Sequence, residues 1–195
     1  METTIEKPQV FTDDEVQHIL RVKEVIKAKL DSFNKTVGKL HNNFTRSYFV
    51  TGGCIGSLLR NETPKDYDIF FFSKLKADAI IDLYTNDKSY MDQVKTVEEA
   101  YRDLQIGQMV ITENATTLKN DLQLITKNYG EPKDIRKTFD FVHCLPYYDT
   151  RDDKLYISRE QYDLNMNKKM KPNNSTAIAS WRIAKYQERG FTWQS

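Results

Sequence analysis

Cysteine is scarce in this sequence. The 195 residues hold two, Cys54 and Cys144. Each lies in an apolar stretch and neither has a partner at zinc-ligand spacing, so buried free thiols are expected. Long hydrophobic runs are missing as well. No segment approaches the roughly 20 apolar residues that cross a bilayer, and METTIEKPQV carries no hydrophobic signal segment. That predicts no membrane partner and a cytoplasmic location, the host cytoplasm if the chain is viral. Nor does one sign of charge dominate. Lys and Arg number 29 against 28 Asp and Glu, a formal net charge of +1, which excludes non-specific nucleic-acid binding by bulk charge. Repeats and low-complexity tracts are absent too.

What is present suits one folded core. The apolar fraction of 39%, with 12% aromatic, predicts a single domain over residues 1–195 with a loose N-terminal arm (1–10). The charge is unevenly spread. From Lys154 onward there are eight Lys/Arg and three Asp/Glu, so a mildly acidic body precedes a basic helical segment at about 160–195. Such a division suits a site that holds metal and polyphosphate together.

Periodicity orders the elements. Thr12 and Glu15 form a capping box, and Phe11 is placed to staple onto Val16. Val16, Ile19, Ile26, Leu30, Phe33, Val37 and Leu40 then recur at helical spacing. SYFVTGG reads as a strand, CIGSLLR as a short helix and DYDIFFF as a strand. LKADAIIDLYTN and VKTVEEAYRDLQ read as helices around a break near Asn86. QMVITENATTL and NDLQLIT read as paired strands, and EPKDIRKT as a helical turn. FDFVHCLPYY and KLYIS are expected to be strands joined by the turn DTRDDK. NKKMKPNN looks like a linker, and a last helix is expected from about Ser175 to Glu188, stopped by Gly190. Mixed elements with an early β-α-β step predict an α+β fold, a mixed sheet flanked by helices.

The chemistry gathers in VTGGCIGSLLRNETPKDYDIFFF, residues 50–72. Gly52 and Gly53 are adjacent, which fits neither G-x-G-x-x-G nor a P-loop. They end a strand and open a short helix. Backbone N–H groups there can receive a phosphate, with Ser57 about one turn on; the alternative is a tight turn that needs glycine. Asp66 and Asp68, two apart, point to one side of a strand, where like charges repel unless a cation offsets them. Carboxylates at that spacing can jointly hold Mg²⁺ and bridge polyphosphate oxygens; exposed edge acids are the plainer alternative. In the tail, Arg182, Lys185 and Arg189 share a helix face and suit a triphosphate or an RNA backbone, or simply solvent. Trp181 and Ile178 are expected to pack, and so is His143.

Apolar-Gly-Gly, a short helix and Asp-apolar-Asp-apolar, with twelve residues between Gly53 and Asp66, resemble the nucleotidyltransferase superfamily of the DNA polymerase β type. The stretch is particularly similar to the head of CCA-adding enzymes and poly(A) polymerases. It departs from the CCA-adding pattern where Ile55, Gly56 and Ser57 replace the Arg-Asp pair that commonly follows the glycines. More loosely, NDLQLIT, FDFVHC and RIAKYQERGF look like segments of nucleotidyltransferase-like proteins of phages and viruses.

The resemblance implies metal-dependent transfer of a nucleoside monophosphate from an NTP to an acceptor: an RNA or tRNA end, a protein or a small molecule. Asp66 and Asp68 would hold Mg²⁺ or Mn²⁺. Gly52, Gly53 and Ser57 would cradle the phosphates, with Arg182 and Lys185 as cationic partners. A third carboxylate on a later strand is implied, either Asp140 inside FDFVHC, the favoured choice, or Asp121; Gln123 occupies the face where one is expected. Two other readings remain. One is a nucleotide-binding or interaction module that has lost its chemistry, and the other is a toxin or anti-defence factor that modifies host tRNA or protein.

Overall fold

The computed structural model describes residues 10–87, 115–174 and 177–194. Helix α1 (Asp13–Gly38) begins with the expected reciprocal cap, in which Thr12 accepts from the Glu15 amide and Glu15 accepts from the Thr12 amide. That pair satisfies two otherwise unpaired donors, and such a cap contributes about 1 kcal/mol. Val22, Ile26, Leu30, Phe33 and Val37 form its buried stripe. Val16 and Leu40, expected on that stripe, lie at its ends and are exposed.

A six-stranded mixed sheet follows, made of β1 (Tyr48–Thr51), β2 (Tyr67–Phe71), β3 (Ala115–Thr117), β4 (Leu122–Tyr129), β5 (Tyr147–Asp149) and β6 (Lys154–Tyr156), in the order β3-β4-β2-β1-β5-β6. Only β2 and β4 run parallel; the other pairings are antiparallel. The fold is α+β. On one face, α1, α2 (Gly53–Leu59) and α3 (Lys74–Asn86) close the main core over Tyr48, Val50, Ile69, Phe71 and Leu124. Strand alternation turns Phe49, Phe70 and Tyr147 to the other face, beneath Ile135 and Phe139.

Register lays one row of residues straight across that second face. Thr117 pairs with Gln123, Gln123 with Asp68, Asp68 with Thr51, Thr51 with Tyr147, and Tyr147 with Tyr156. Residues opposite one another on neighbouring strands share a face, so the row fixes where chemistry can gather.

The sequence between Pro132 and the tail departs most from expectation. The one-turn helix α4 (Pro132–Ile135) and the turn before β6 are as read. The strand expected over FDFVHCLPYY survives only as β5. Phe139 is irregular and Asp140 a bend, Phe141 makes a single bridge to Pro172, and Val142–Cys144 is a 3₁₀ turn. Pro146 has no N–H for a ladder, and Thr51 Oγ1 donates to its carbonyl at 2.8 Å. Two further elements are not among those read from the sequence one by one. Helix α5 (Arg159–Met166) carries a capping box of Ser158 and Gln161. The supposed linker contains β7 (Lys169–Met170), parallel to β8 (Thr192–Trp193). The last helix, α6, is confined to Ser180–Gln187. Phe141, Cys144, Met170 and Phe191 form a second small core on which Ile178, Ile183 and Tyr186 pack. The expected helix VKTVEEAYRDLQ and the strand residues before Ala115 lie outside the described residues. No described helix is long and apolar enough to cross a membrane.

Helix α2 explains the departure at Ile55-Gly56-Ser57. Ile55 is fully buried. A Cβ on Gly56 would stand 2.2 Å from Asn165 Oδ1 of α5. Asn165 is itself buried and donates to the carbonyls of His143 and Gln161 while accepting from Arg60. Larger side chains do not fit between these helices.

Candidate active site

The glycine turn lies directly against the aspartate strand. Gly52 has φ +91° and ψ −155°, a region open essentially to glycine alone. A Cβ there would come within 2.8 Å of Asp68 Oδ2. Gly53 begins α2 with an ordinary backbone, and a Cβ on it would meet only the Tyr186 hydroxyl, at 3.9 Å. The first glycine is therefore required by the fold, whereas the second leaves open space in front of the helix. Ser57 lies one turn into α2 and is buried.

Asp68 follows the first residue of β2, and Asp66 precedes the strand. Asp66 is exposed and Asp68 half-buried, but the atoms crowded around the Asp68 carboxylate strip it of water. Desolvation first, and the Asp66 charge second, push it up to about 7, while Lys185 and Arg182 pull it down. The cations expected to offset two like charges are thus supplied by α6. Beneath the pair, the Cys54 thiol is buried and pushed well above its ordinary range by desolvation and by both aspartates.

Helix α6 holds the other half of the site. Arg182 Nε meets Asp140 Oδ2 at 3.1 Å. Tyr186 Oη meets Cys144 Sγ at 2.9 Å. Lys185 is shifted down by desolvation and then by Arg189, while Asp66 and Asp68 raise it. Trp181, expected to pack, is 41% exposed, and the Arg182 guanidinium lies 4.8 Å from its ring centre. Ile178 packs as expected. His143 is buried among Phe141, Tyr186 and Phe191, and desolvation lowers it to about 3.

The two candidates for a third carboxylate separate. Asp121 sits in a turn at φ +63° and meets Lys29 of α1 at 3.5 Å. Asp140 stands in the bend before Phe141, joined to the site through Arg182. Gln123 pairs with Asp68 in register. Among the described residues no three His, Cys, Asp or Glu side chains cluster as a metal cage. The convergence of α6 on the Asp pair had only its helical spacing as a sequence signal.

Comparison with known proteins bears on the family and the fold. The description "Gabija anti-defense 2 family protein" matches residues 21–168. The chain belongs to the Gabija anti-defense 2 family. Within it, the chain is 25% identical over 150 residues to Gabija anti-defense 2 of Bacillus phage SPbetaL7, over 73% of its own length. It spans 33% of the length of that curated relative. Among solved structures, a CCA-adding enzyme in complex with ATP superposes with a TM-score of 0.56 at 17% identity, over 96% of this chain and 44% of that one. The Thermotoga maritima CCA-adding enzyme complexed with tRNA gives 0.54 at 15% identity, over 91% and 42%. This family member therefore shares its fold with those CCA-adding enzymes.

Proposed function

We propose that this protein transfers a nucleoside monophosphate from an NTP to an acceptor hydroxyl, and that this transfer serves the anti-defence role for which its family is named. One observation carries the reading: Asp68 is desolvated beside Asp66, under Gly52 and opposite Arg182 and Lys185. A structural strand gains nothing from such a pair, whereas a polyphosphate with its cation does.

Divalent metal fits this donor set. Mg²⁺ is commonly bound by one or two carboxylates and completed by waters and substrate phosphates, without an all-protein cage. Asp66 and Asp68 would hold it, and it would supply charge neutralisation on the triphosphate. The chain's own groups do the rest. Gly52, Gly53 and Ser57 bring α2 to the β- and γ-phosphates, and Arg182 and Lys185 neutralise them from the other side. The acceptor oxygen bonds to the α-phosphorus as the bond to pyrophosphate breaks, and that electron pair leaves with pyrophosphate. Asp140 is the third carboxylate that receives the acceptor proton. Catalysis is then mostly positioning and electrostatics.

A second reading rests on Gln123. An amide beside Asp68 where a carboxylate is expected suits a nucleotide-binding module without chemistry. Labelled NTPs incubated with the protein, Mg²⁺ and host RNA or protein separate the two. Transfer lost in Asp68→Asn and in excess EDTA supports the enzyme. Mg·NTP binding without transfer to any acceptor supports the module.

A further inference from the structure

Among the described residues Arg136 has no anionic partner. Its Nε is buried and has no hydrogen-bond partner. A buried donor left unpaired is costly, and more so on a charged group. Desolvation lowers the guanidinium below its ordinary range. Its one described neighbour of note is an aromatic face, with the guanidinium carbon 4.7 Å from the Tyr147 ring centre. Tyr147 in turn stacks on Tyr156 at 4.7 Å and 10°, and Tyr156 is 37% exposed. The result is a stack of Arg136, Tyr147 and Tyr156 that ends at the surface.

The acids around this stack are already engaged. Glu131 and Asp149 bind Arg151, Asp134 binds Lys137, and Asp152 accepts from the Tyr156 hydroxyl. Asn173 Nδ2 donates to the carbonyls of Arg136 and Phe139 at 2.9 Å each, which pins the turn carrying Arg136. The stack also shares a face with the site. Tyr147 and Tyr156 continue the row that runs from Asp68 through Thr51. Two strand spacings put Tyr147 about 10 Å from Asp68.

We infer that the Arg136–Tyr147–Tyr156 stack is the binding site for the acceptor, and that the acceptor is a single-stranded nucleic acid. Arg136 takes a backbone phosphate and the exposed Tyr156 ring takes a base. A guanidinium with free donors is suited to phosphate, and an exposed aromatic accepts any base. The triphosphate has its own cations on α6, so Arg136 is left for a different phosphate. The word acceptor rests on the transfer reading above; the binding site does not.

Anisotropy of a short labelled single-stranded RNA, titrated over a salt series, tests this. Mg·ATP binding by calorimetry and the melting temperature are measured on the same variants. Wild type should bind the RNA. Arg136→Gln should flatten the log–log salt dependence by about 0.7, the share of one single-strand phosphate, and leave Mg·ATP affinity unchanged. Tyr156→Ala, an exposed position that should not disturb folding, should weaken RNA binding about fivefold or more. RNA binding that is absent in wild type, or unchanged in both variants, overturns the inference. So does a loss of Mg·ATP affinity in Arg136→Gln, which would give Arg136 to the NTP, or transfer to a protein without RNA binding. If RNA binding follows Arg136 and Tyr156 while wild type binds no Mg·ATP, the transfer reading falls and the nucleic-acid site stands.

Discussion

Asp68 alone makes the site sensitive to pH. With its native value near 7 against an ordinary 3.8, the folded protein keeps a proton that the unfolded chain has lost. Stability contributed by that proton is complete below pH 3.8 and lost as pH rises through 7. His143 has the opposite sign. Lowered to about 3 from 6.5, it binds its proton in the unfolded chain first, so its effect raises stability as pH climbs from 3 to 6.5. The two nearly oppose each other over the shared window, and the informative quantity is the difference between variant and wild type. In chelator and without nucleotide, Asp68→Asn should become progressively more stable than wild type from pH 4 to 8, as read by urea unfolding. A difference independent of pH would mean that Asp68 is ordinarily solvated. The pair itself was legible in the sequence, because alternation in DYDIFFF shows two carboxylates on one side. That Asp68 is desolvated and Asp66 exposed was not legible, since it depends on Gly52 and α6, which come from elsewhere in the chain.

The turn between β1 and α2 divides its two glycines by role. Gly52 occupies a glycine-only backbone region with Asp68 against it, so Gly52→Ala should cost about 1–3 kcal/mol of stability along with activity. Gly53→Ala has room and replaces glycine in a helix, so it should be neutral or stabilising by up to about 1 kcal/mol. Mg·NTP affinity should nevertheless fall, because the methyl occupies the space before the helix. Thermal melting and nucleotide titration of both variants check this; Gly53→Ala with unaltered affinity would reduce the turn to a bend. Elements with strong local signals were legible: the cap at Thr12, the strands around the aspartates and the turn before β6. Those set by distant packing were not. Phe139–Cys144 is apolar enough for a strand, but Phe141 is drawn to Met170 and Phe191 and the ladder never forms. Ser158 and Gln161 did carry a visible capping signal, and the two-residue β7 is too short to leave one.

Across the whole molecule, the site joins two cores, with Asp68 on the large sheet and Arg182, Lys185 and Asp140 beside the small tail cluster. Mg·NTP should bind across both and stabilise the fold by mass action, by about 2.7 kcal/mol at a hundred times Kd, read as a rise in melting temperature. Asp140→Asn should lose much of that gain together with transfer, since Asp140 is ion-paired with Arg182. Asp121→Asn, on the α1 side with Lys29, should lose little of either. The reverse pattern moves the third carboxylate to Asp121.

The Gly52–Asp68 contact is made early in the chain, and its cations arrive late, on α6. Chains emerge from the ribosome N-terminal end first, at about 5–20 residues per second. For several seconds a nascent chain therefore carries the aspartate pair without Arg182 or Lys185. During that interval the charges of Asp66 and Asp68 are not yet offset by α6. On the proposed reading, the order of synthesis delays nucleotide binding until the last helix has been made.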